Sequence, residues 1–401
     1  MTTDLGQELA QATLGLDRLY RNRATGNGPL DREGLVAVPP ADVEPALYMD
    51  WVEADAALCA LQGRLREIGK GLRRDYVAEM LESLRCAVAV FRGEAVPYVQ
   101  RVERCLRVPG RPVPQGVMDG YRRVIDTCLR ELGYAHGTLA ERVTRWEAQN
   151  QVPPAEVPSV LGELLQVARR RTEEKVMALP ASSMEIMPVG LRNVPFSAYC
   201  DYANRQLKVN LDYVYTRTAL KHLACHEAFP GHLLHMAVRE QRARDGLMPA
   251  DAPLVVVNSA SSAVFEGIGE NGMAFLDWVE SPADTLGMTL NRLRSAARVN
   301  AALMIHHEGA SVDAARVYLS ETCFTTPAWV ESRLGFLTHS LRAPFIFAYW
   351  YGDAAVDAVW RQVPPSRRSA FFRFLYHHMH TPTTLATYWP AFLADEDVIN
   401  Q

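Results

Sequence analysis

Three things are in short supply in this chain of 401 residues. The first is charge of one sign: 42 basic side chains stand against 46 acidic ones, a formal net charge of -4. Nucleic acid leaves a strongly basic footprint on its partners, so it is not an expected partner here; a small molecule or peptide is. The second is paired cysteine. Seven cysteines, Cys59, Cys86, Cys105, Cys128, Cys200, Cys225 and Cys323, are odd in number, scattered and never spaced as CxxC, which argues against a disulfide framework and a thiolate zinc site. The third is a long apolar run. None approaches the roughly 20 residues that a bilayer-spanning helix requires, and the opening MTTDLGQELAQ has no basic stretch leading into an apolar core. A cytoplasmic globule with reduced thiols and no membrane partner is the expectation.

What is present is mostly helical patterning. Up to about Leu179 apolar residues recur at steps of three and four, as in Val77, Met80, Leu81, Leu84, Val88 and Phe91, and again in Tyr121, Val124, Ile125, Cys128, Leu129 and Leu132. Proline-rich turns at Val108–Gly116 and Gln151–Pro158 separate successive helices. The run Arg169 to Arg171 is followed by Glu173, Glu174 and Lys175, the mixed charge of a solvated face. Between Pro180 and Asp212 the text changes to MEIMPV, FSAYCDY and QLKVNL, separated by turn residues, which predicts a small sheet. A strand there offers a peptide-like substrate an edge to pair with, although a sheet that merely closes the core is the plainer reading. Helices resume at Tyr213. Residues 1–180 thus read as a helical amino-terminal region and 181–401 as the region holding the chemistry, packed as one body.

The segment HEAFPGH, His226 to His232, looks like a stretched HExxH. On a straight helix, positions six apart lie roughly 240° round and about 9 Å along, too divergent to share an ion. Pro230, however, lacks an N–H, and its ring crowds the carbonyl of His226 four residues back, while Gly231 tolerates the backbone angles that follow. The helix must break, and the break can swing His232 back toward His226. Glu227 then sits beside the first ligand as a general base for water. Four of the chain's eleven histidines, His222, His226, His232 and His235, fall within this short stretch. A rival geometry uses His222 and His226, four apart on one face, with Glu227.

A hydrolytic metal centre wants a third protein ligand and an open position. Asn258 to Gly272, NSASSAVFEGIGENG, offers Glu266 and Glu270 four apart on a helix that Ser261 or Ser262 would cap. The same stretch contains a formal GxGxxG at Gly267, Gly269 and Gly272. It stands well past the apolar run Leu254–Val257, and no strand–helix alternation follows, so a nucleotide-binding reading fails.

These residues resemble a known family. LKVNLDYVYTRTALKHLACHEAFPGHLLH, Leu207 to His235, is similar to the signature of the bacterial "domain of unknown function 885" family, helical zincin-like metallopeptidases whose motif runs HExxPGHH after a VN strand. The likeness runs from roughly Met184 to the carboxyl end. It carries over His226, Glu227, Pro230, Gly231 and His232. The family's EGWA carboxylate falls on Glu266, its IHxxG element on Ile305, His306 and Gly309 after Arg298, and its RY…AYxxG element on Arg333, Ala348, Tyr349 and Gly352. The resemblance implies a metal held by His226, His232 and Glu266, Glu227 as base, and His306 and Tyr349 as donors that stabilise an oxyanion or orient substrate. The chain departs from the pattern at Leu233, His235, Ile268, Asn271 and Met273, where pocket residues differ although the ligands are kept.

The expected architecture is therefore mainly α, a zincin-like helical metallopeptidase with a small β-sheet beside the active-site helix. The expected function is a zinc-dependent hydrolase that cleaves a peptide or amide bond in a small substrate. Arg333 or Arg342 would grip a substrate carboxylate, and Glu270 is a further substrate-side candidate. Two other readings stand beside it. One keeps the two-histidine, one-carboxylate set but gives it Fe2+ and an oxidative or lyase reaction; the other is a non-catalytic scaffold that binds a ligand. The histidines His377, His378 and His380 lie outside the matched elements and are left out of the site.

Overall fold

The stripe Val77, Met80, Leu81, Leu84 and Val88 forms the buried face of a helix, Leu72–Phe91, in a computed structural model whose described residues are 5–23, 33–183, 185–194 and 196–394. The first four residues of the amino-terminal segment and Met184, expected to open the first strand, lie outside the described residues. The molecule is mainly helical. In the helix Gln115–Glu131 the side chains of Ile125, Cys128 and Leu129 are buried, but Val124 faces solvent, one position off the apolar stripe. The basic run of the helix Val157–Lys175 is spent in surface ion pairs, Arg169 with Glu173 at 3.8 Å and Arg171 with Glu280.

The predicted small sheet has three strands, Met187–Leu191, Ala198–Asp201 and Gln206–Asn210. The last lies in the middle, parallel to the first with Val189 opposite Lys208, and antiparallel to the second with Cys200 opposite Leu207. Leu207 and Val209 fix that register by entering the core. The Asn210 side-chain amide donates to the carbonyls of Val194 and Phe196 at 3.0 and 3.2 Å, tying down the approach to the edge strand. That edge strand, Ala198–Asp201, is the one that meets the site described below. A second, two-stranded ribbon pairs Val36–Val38 with Val255–Val256, elements too short to show a period in the sequence.

Each hydrophobic cluster draws on both sides of residue 180. Leu161 and Leu165 pack with Leu207, Leu220, Phe229 and Phe371. Val102, Met118 and Ile125 pack with Leu293 and Phe347, and Leu9, Leu58 and Met80 with Leu254, Val256 and Met379. The helix Ser262–Glu270 crosses the helix Ile346–Trp360 through glycine: a Cβ on Gly267 would lie 2.3 Å from the Gly352 carbonyl oxygen, and one on Gly352 would lie 2.1 Å from that of Ala263. The formal GxGxxG serves close helix packing at its first glycine. Among the described residues no helix is long and apolar enough to cross a membrane.

Candidate metal centre

The helix Arg217–Leu223 begins at Thr216, whose hydroxyl accepts from the Ala219 N–H at 3.1 Å. It then widens into a π-helical turn, Ala224–Ala228, that holds His226 and Glu227. The reason is local. Pro230 cannot donate, so the ladder closes around it: the Phe229 N–H reaches back five residues to the Ala224 carbonyl at 3.0 Å, and the Gly231 N–H reaches the Cys225 carbonyl at 2.9 Å. Phe229 is extended, the Phe229–Pro230 peptide is cis, and a new helix, His232–Arg244, starts after Gly231. A Cβ on Gly231 would sit 1.8 Å from the His226 carbonyl oxygen, so no other residue fits the turn. The break turns two imidazoles six residues apart toward each other, with ring centroids 4.6 Å apart and planes at 78°. Its π-helical form is not visible in the sequence.

The helix Ser262–Glu270 supplies the acids. Ser261 occupies its N-cap position but makes no capping bond; instead Ser262 Oγ accepts from the Ser259 N–H at 3.0 Å. Glu266 Oε2 lies 3.3 Å from His226 Nε2 and its Oε1 lies 3.8 Å from His232 Nε2. One turn on, Glu270 Oε1 lies 3.7 Å from His226 Nδ1 and its Oε2 lies 3.6 Å from His222 Nε2. Two overlapping donor groups result, His226 with His232 and Glu266, and His222 with His226 and Glu270, each with its ligand atoms within 4.8 Å of one another. Gly269 permits this approach, because a Cβ there would meet His226 Nδ1 at 2.7 Å.

Electrostatics suit a cation. Burial pushes His222, His226 and His232 down to about 4, so their nitrogens are uncharged near neutrality. Burial raises the Glu266 carboxyl and pushes Glu270 up to about 7. Glu227 is pushed up to about 8, by burial first and then by the neighbouring Glu266. The backbone N–H of Cys200, on the edge strand, donates to Glu227 Oε2 at 3.1 Å and partly opposes that rise. His226 Nδ1, His232 Nδ1 and Glu266 Oε2 are buried without a hydrogen-bond partner among the described residues. Neutral Nε2 atoms of His226 and His232 facing a buried carboxylate fit a divalent cation, which would satisfy the Glu266 Oε2 that the protein leaves open.

The cluster opens on a cavity of about 630 Å³, within the size range of small-molecule sites. Glu227, Tyr349, Arg333, Arg342 and Glu270 all line it. Tyr349 lies beneath the Arg298 guanidinium, 4.7 Å from ring centroid to carbon, and its burial raises its phenol far above the ordinary value. Arg333 lies over Trp329 at 5.1 Å. Arg342 is already engaged, by the Gly34 carbonyl at 3.0 Å and Glu33 at 3.1 Å.

His306 is not brought to the cavity. Its Nε2 is bonded to the Leu337 carbonyl at 2.7 Å and its ring stacks on Tyr98 at 4.6 Å. His235 packs on Phe265 at 4.3 Å, and Asn271 donates to the Gly267 carbonyl at 2.9 Å; neither joins the donor groups. Sequence reasoning missed the pairing of Glu270 with His222, the Cys200 N–H on Glu227, and Arg298. The first had a signal in the spacing of His222 and His226 as neighbours on one helix face, and Arg298 had one in its place before the matched element of Ile305, His306 and Gly309, although no role was assigned to it.

No family model matches the chain, and no curated protein matches it in sequence. In three dimensions it is similar to the crystal structure of a "putative lipoprotein" from Colwellia psychrerythraea, with a TM-score of 0.59 and 17% identity over 88% of this chain and 65% of that one. It is also similar to a "putative lipoprotein of unknown function" from Shewanella oneidensis, with a TM-score of 0.55 and 12% identity over 84% of this chain and 70% of that one. At such identities the likeness is one of fold. The chain spans just under two thirds of the length of the Colwellia protein.

Proposed function

We propose that the protein is a metal-dependent hydrolase of the zincin type that cleaves a peptide or amide bond in a small substrate, with zinc held by His226, His232 and Glu266. The observation that carries this reading is the convergence of those three donors with Glu227 on one cavity. Bound zinc supplies Lewis acidity toward a carbonyl oxygen and makes water acidic enough to deprotonate near neutrality. The chain's own residues do the rest. Glu227, whose buried carboxyl is pushed up to about 8, is matched to take and return a proton at neutral pH. The Cys200 N–H fixes one of its oxygens and leaves the other for that proton. The buried Tyr349 phenol stays protonated and donates to the oxygen on which charge develops. Glu270 lies 3.7 Å from His226 Nδ1, close enough to act on that ring electrostatically, and the free edge of Ala198–Asp201 gives a peptide-like substrate a strand to pair with. His306 has no part in this reading.

The same donor set suits ferrous iron, which makes an oxidative or lyase reaction the second reading, although the departures at Leu233, Ile268, Asn271 and Met273 lie in the core and do not line the cavity. We place the protein in the cytoplasm, where its seven free cysteines would stay reduced. The test is metal analysis of the purified protein together with turnover of a panel of N-acyl dipeptides by wild type and Glu227→Gln. Bound zinc with turnover lost only in the variant supports the hydrolase. A strict need for iron and oxygen favours the second reading, and failure to bind any metal leaves a ligand-binding scaffold.

A further inference from the structure

Four arginines line the cavity, Arg294, Arg298, Arg333 and Arg342, and they divide into two pairs. Arg294 donates to Glu147 at 2.9 Å and to two backbone carbonyls. Arg342 is held by Glu33 and Gly34. Arg298 and Arg333 have no carboxylate within 4.0 Å among the described residues. Among the described residues Arg298 meets the Ser295 hydroxyl at 2.8 Å and the face of Tyr349, and Arg333 the faces of Trp329 and Tyr213. The Nε of each is buried and unpartnered. Buried cations are ordinarily paired, because removing a charge from water without a counterion is costly. Arg333 shows that cost: burial, and next the like charge of Arg298, lower its pKa.

The charge count points the same way. Of the acids lining the cavity, Glu33, Glu147 and Asp212 are paired with Arg342, Arg294 and Arg192. Glu227, Glu266 and Glu270 remain. A divalent ion with Arg298 and Arg333 would bring four positive charges against at most three negative ones, so positive charge is left over for an anion.

We propose that Arg298 and Arg333 form a carboxylate subsite, so that the substrate is a small amide or peptide with a free carboxylate close to the bond that is cut. This deepens the hydrolase reading and rests on it for the identity of the bond. Arg298 stacks on Tyr349, the donor assigned to the developing charge, so a carboxylate held in the guanidinium fork lies beside the reacting carbonyl.

The experiment compares 4-phenylbutyrate with 4-phenylbutyramide, a pair that differs in charge, by calorimetric titration of the full chain with and without zinc. The carboxylate is expected to bind about tenfold more tightly than the amide in both forms. Arg298→Gln and Arg333→Gln are each expected to weaken the carboxylate about tenfold and leave the amide unchanged. Should a Gln variant fail to fold by circular dichroism, Arg298→Lys and Arg333→Lys keep the charge but lose the fork, and a loss of carboxylate preference in them supports the same claim. Wild-type carboxylate affinity in all the folded variants overturns the proposal. So does carboxylate binding that vanishes when zinc alone is removed, since the anion then sits on the metal, and so does no preference for the carboxylate, or inorganic phosphate binding more tightly than phenylbutyrate. If the protein binds no zinc, the hydrolase reading falls while the metal-free arm still decides the arginine subsite.

Discussion

Histidines crowd together in two places, His222 to His235 and His377 to His380, and the two regions behave differently. In both, burial depresses the rings: His226 and His232 to about 4, His377 and His378 to about 4, and His380 to about 3. In the first region carboxylates from another helix lie 3.3 to 3.8 Å from the ring nitrogens. In the second no carboxylate comes within ion-pair distance among the described residues. His380 Nε2 is bonded to the Phe374 carbonyl at 2.8 Å and its ring packs on Phe374 at 4.3 Å, while the nearby charge felt by His377 and His378 is that of Arg242. Density of histidine and depressed basicity are therefore common to both. What sets the first region apart is a mixed donor set gathered by a broken helix.

The sharpest way to break the comparison is metal stoichiometry. His226→Ala, His232→Ala and Glu266→Ala are each expected to take bound zinc from one per chain to near none, whereas His377→Ala and His378→Ala leave it unchanged. Mass-spectrometric metal analysis after gel filtration reads this directly. Zinc that survives the first set and is lost in the second would reverse the assignment of the two regions.

Within the first region, the proposed reading separates Glu227 from the ligands by function. Glu227→Gln keeps nearly the same shape and should retain zinc, while turnover falls by about a hundredfold to ten-thousandfold, the usual weight of a positioned general base. Loss of zinc and turnover together would show that Glu227 is a structural neighbour of the site.

How much of this was legible follows from the range of each signal. The break at Pro230 and Gly231 is a local steric rule, and it could be read from seven letters. The three-stranded sheet was legible because alternation and turn residues are also local, and Glu266 stood out as an acid in an apolar, glycine-rich stretch. The π-helical turn was not legible, because proline demands a break without dictating how the ladder closes around it. His306 illustrates the converse: a matched element, Ile305, His306 and Gly309, says nothing about ring direction, and the end of the helix Pro282–His306 points that ring at the Leu337 carbonyl. Arg298 was invisible as a cation without a counterion, since pairing depends on which acids other helices bring near.

Glycine contacts refine the comparison, because the first region is packed around residues that lack a Cβ. Gly231→Ala drives a methyl into the backbone of His226, 1.8 Å from its oxygen, and should cost about 3 kcal/mol or unfold the turn. This would be seen as a fall of several degrees in the thermal midpoint. Gly269→Ala meets the His226 ring at 2.7 Å, and ring displacement should weaken zinc by about tenfold, the scale on which orienting contacts act. A midpoint unchanged by Gly269→Ala together with weaker zinc would show that the contact serves the ligand and not the fold.

The smallest expected effect belongs to the second region and concerns pH. His380 titrates near 6.5 when unfolded and at about 3 when buried, burial being the main cause and its bond to the Phe374 carbonyl partly opposing it. Between those values the unfolded chain takes up a proton that the folded chain refuses, so stability rises with pH across the window. The contribution is fully present above about pH 6.5 and is lost as pH falls toward 3. At pH 5 the loss from this one ring is at most about 2 kcal/mol. His380→Gln, whose amide can reach the Phe374 carbonyl from the Nε2 position but cannot titrate, should shrink the difference between the thermal midpoints at pH 7 and pH 5. Because His377, His378 and His380 join neither donor group among the described residues, the shrinkage should be the same in zinc-loaded and chelator-treated protein. A shrinkage that appears only in one of the two forms would mean that the regions are linked through the helix His232–Arg244, whose His235 meets Tyr376 edge to face just before the second cluster.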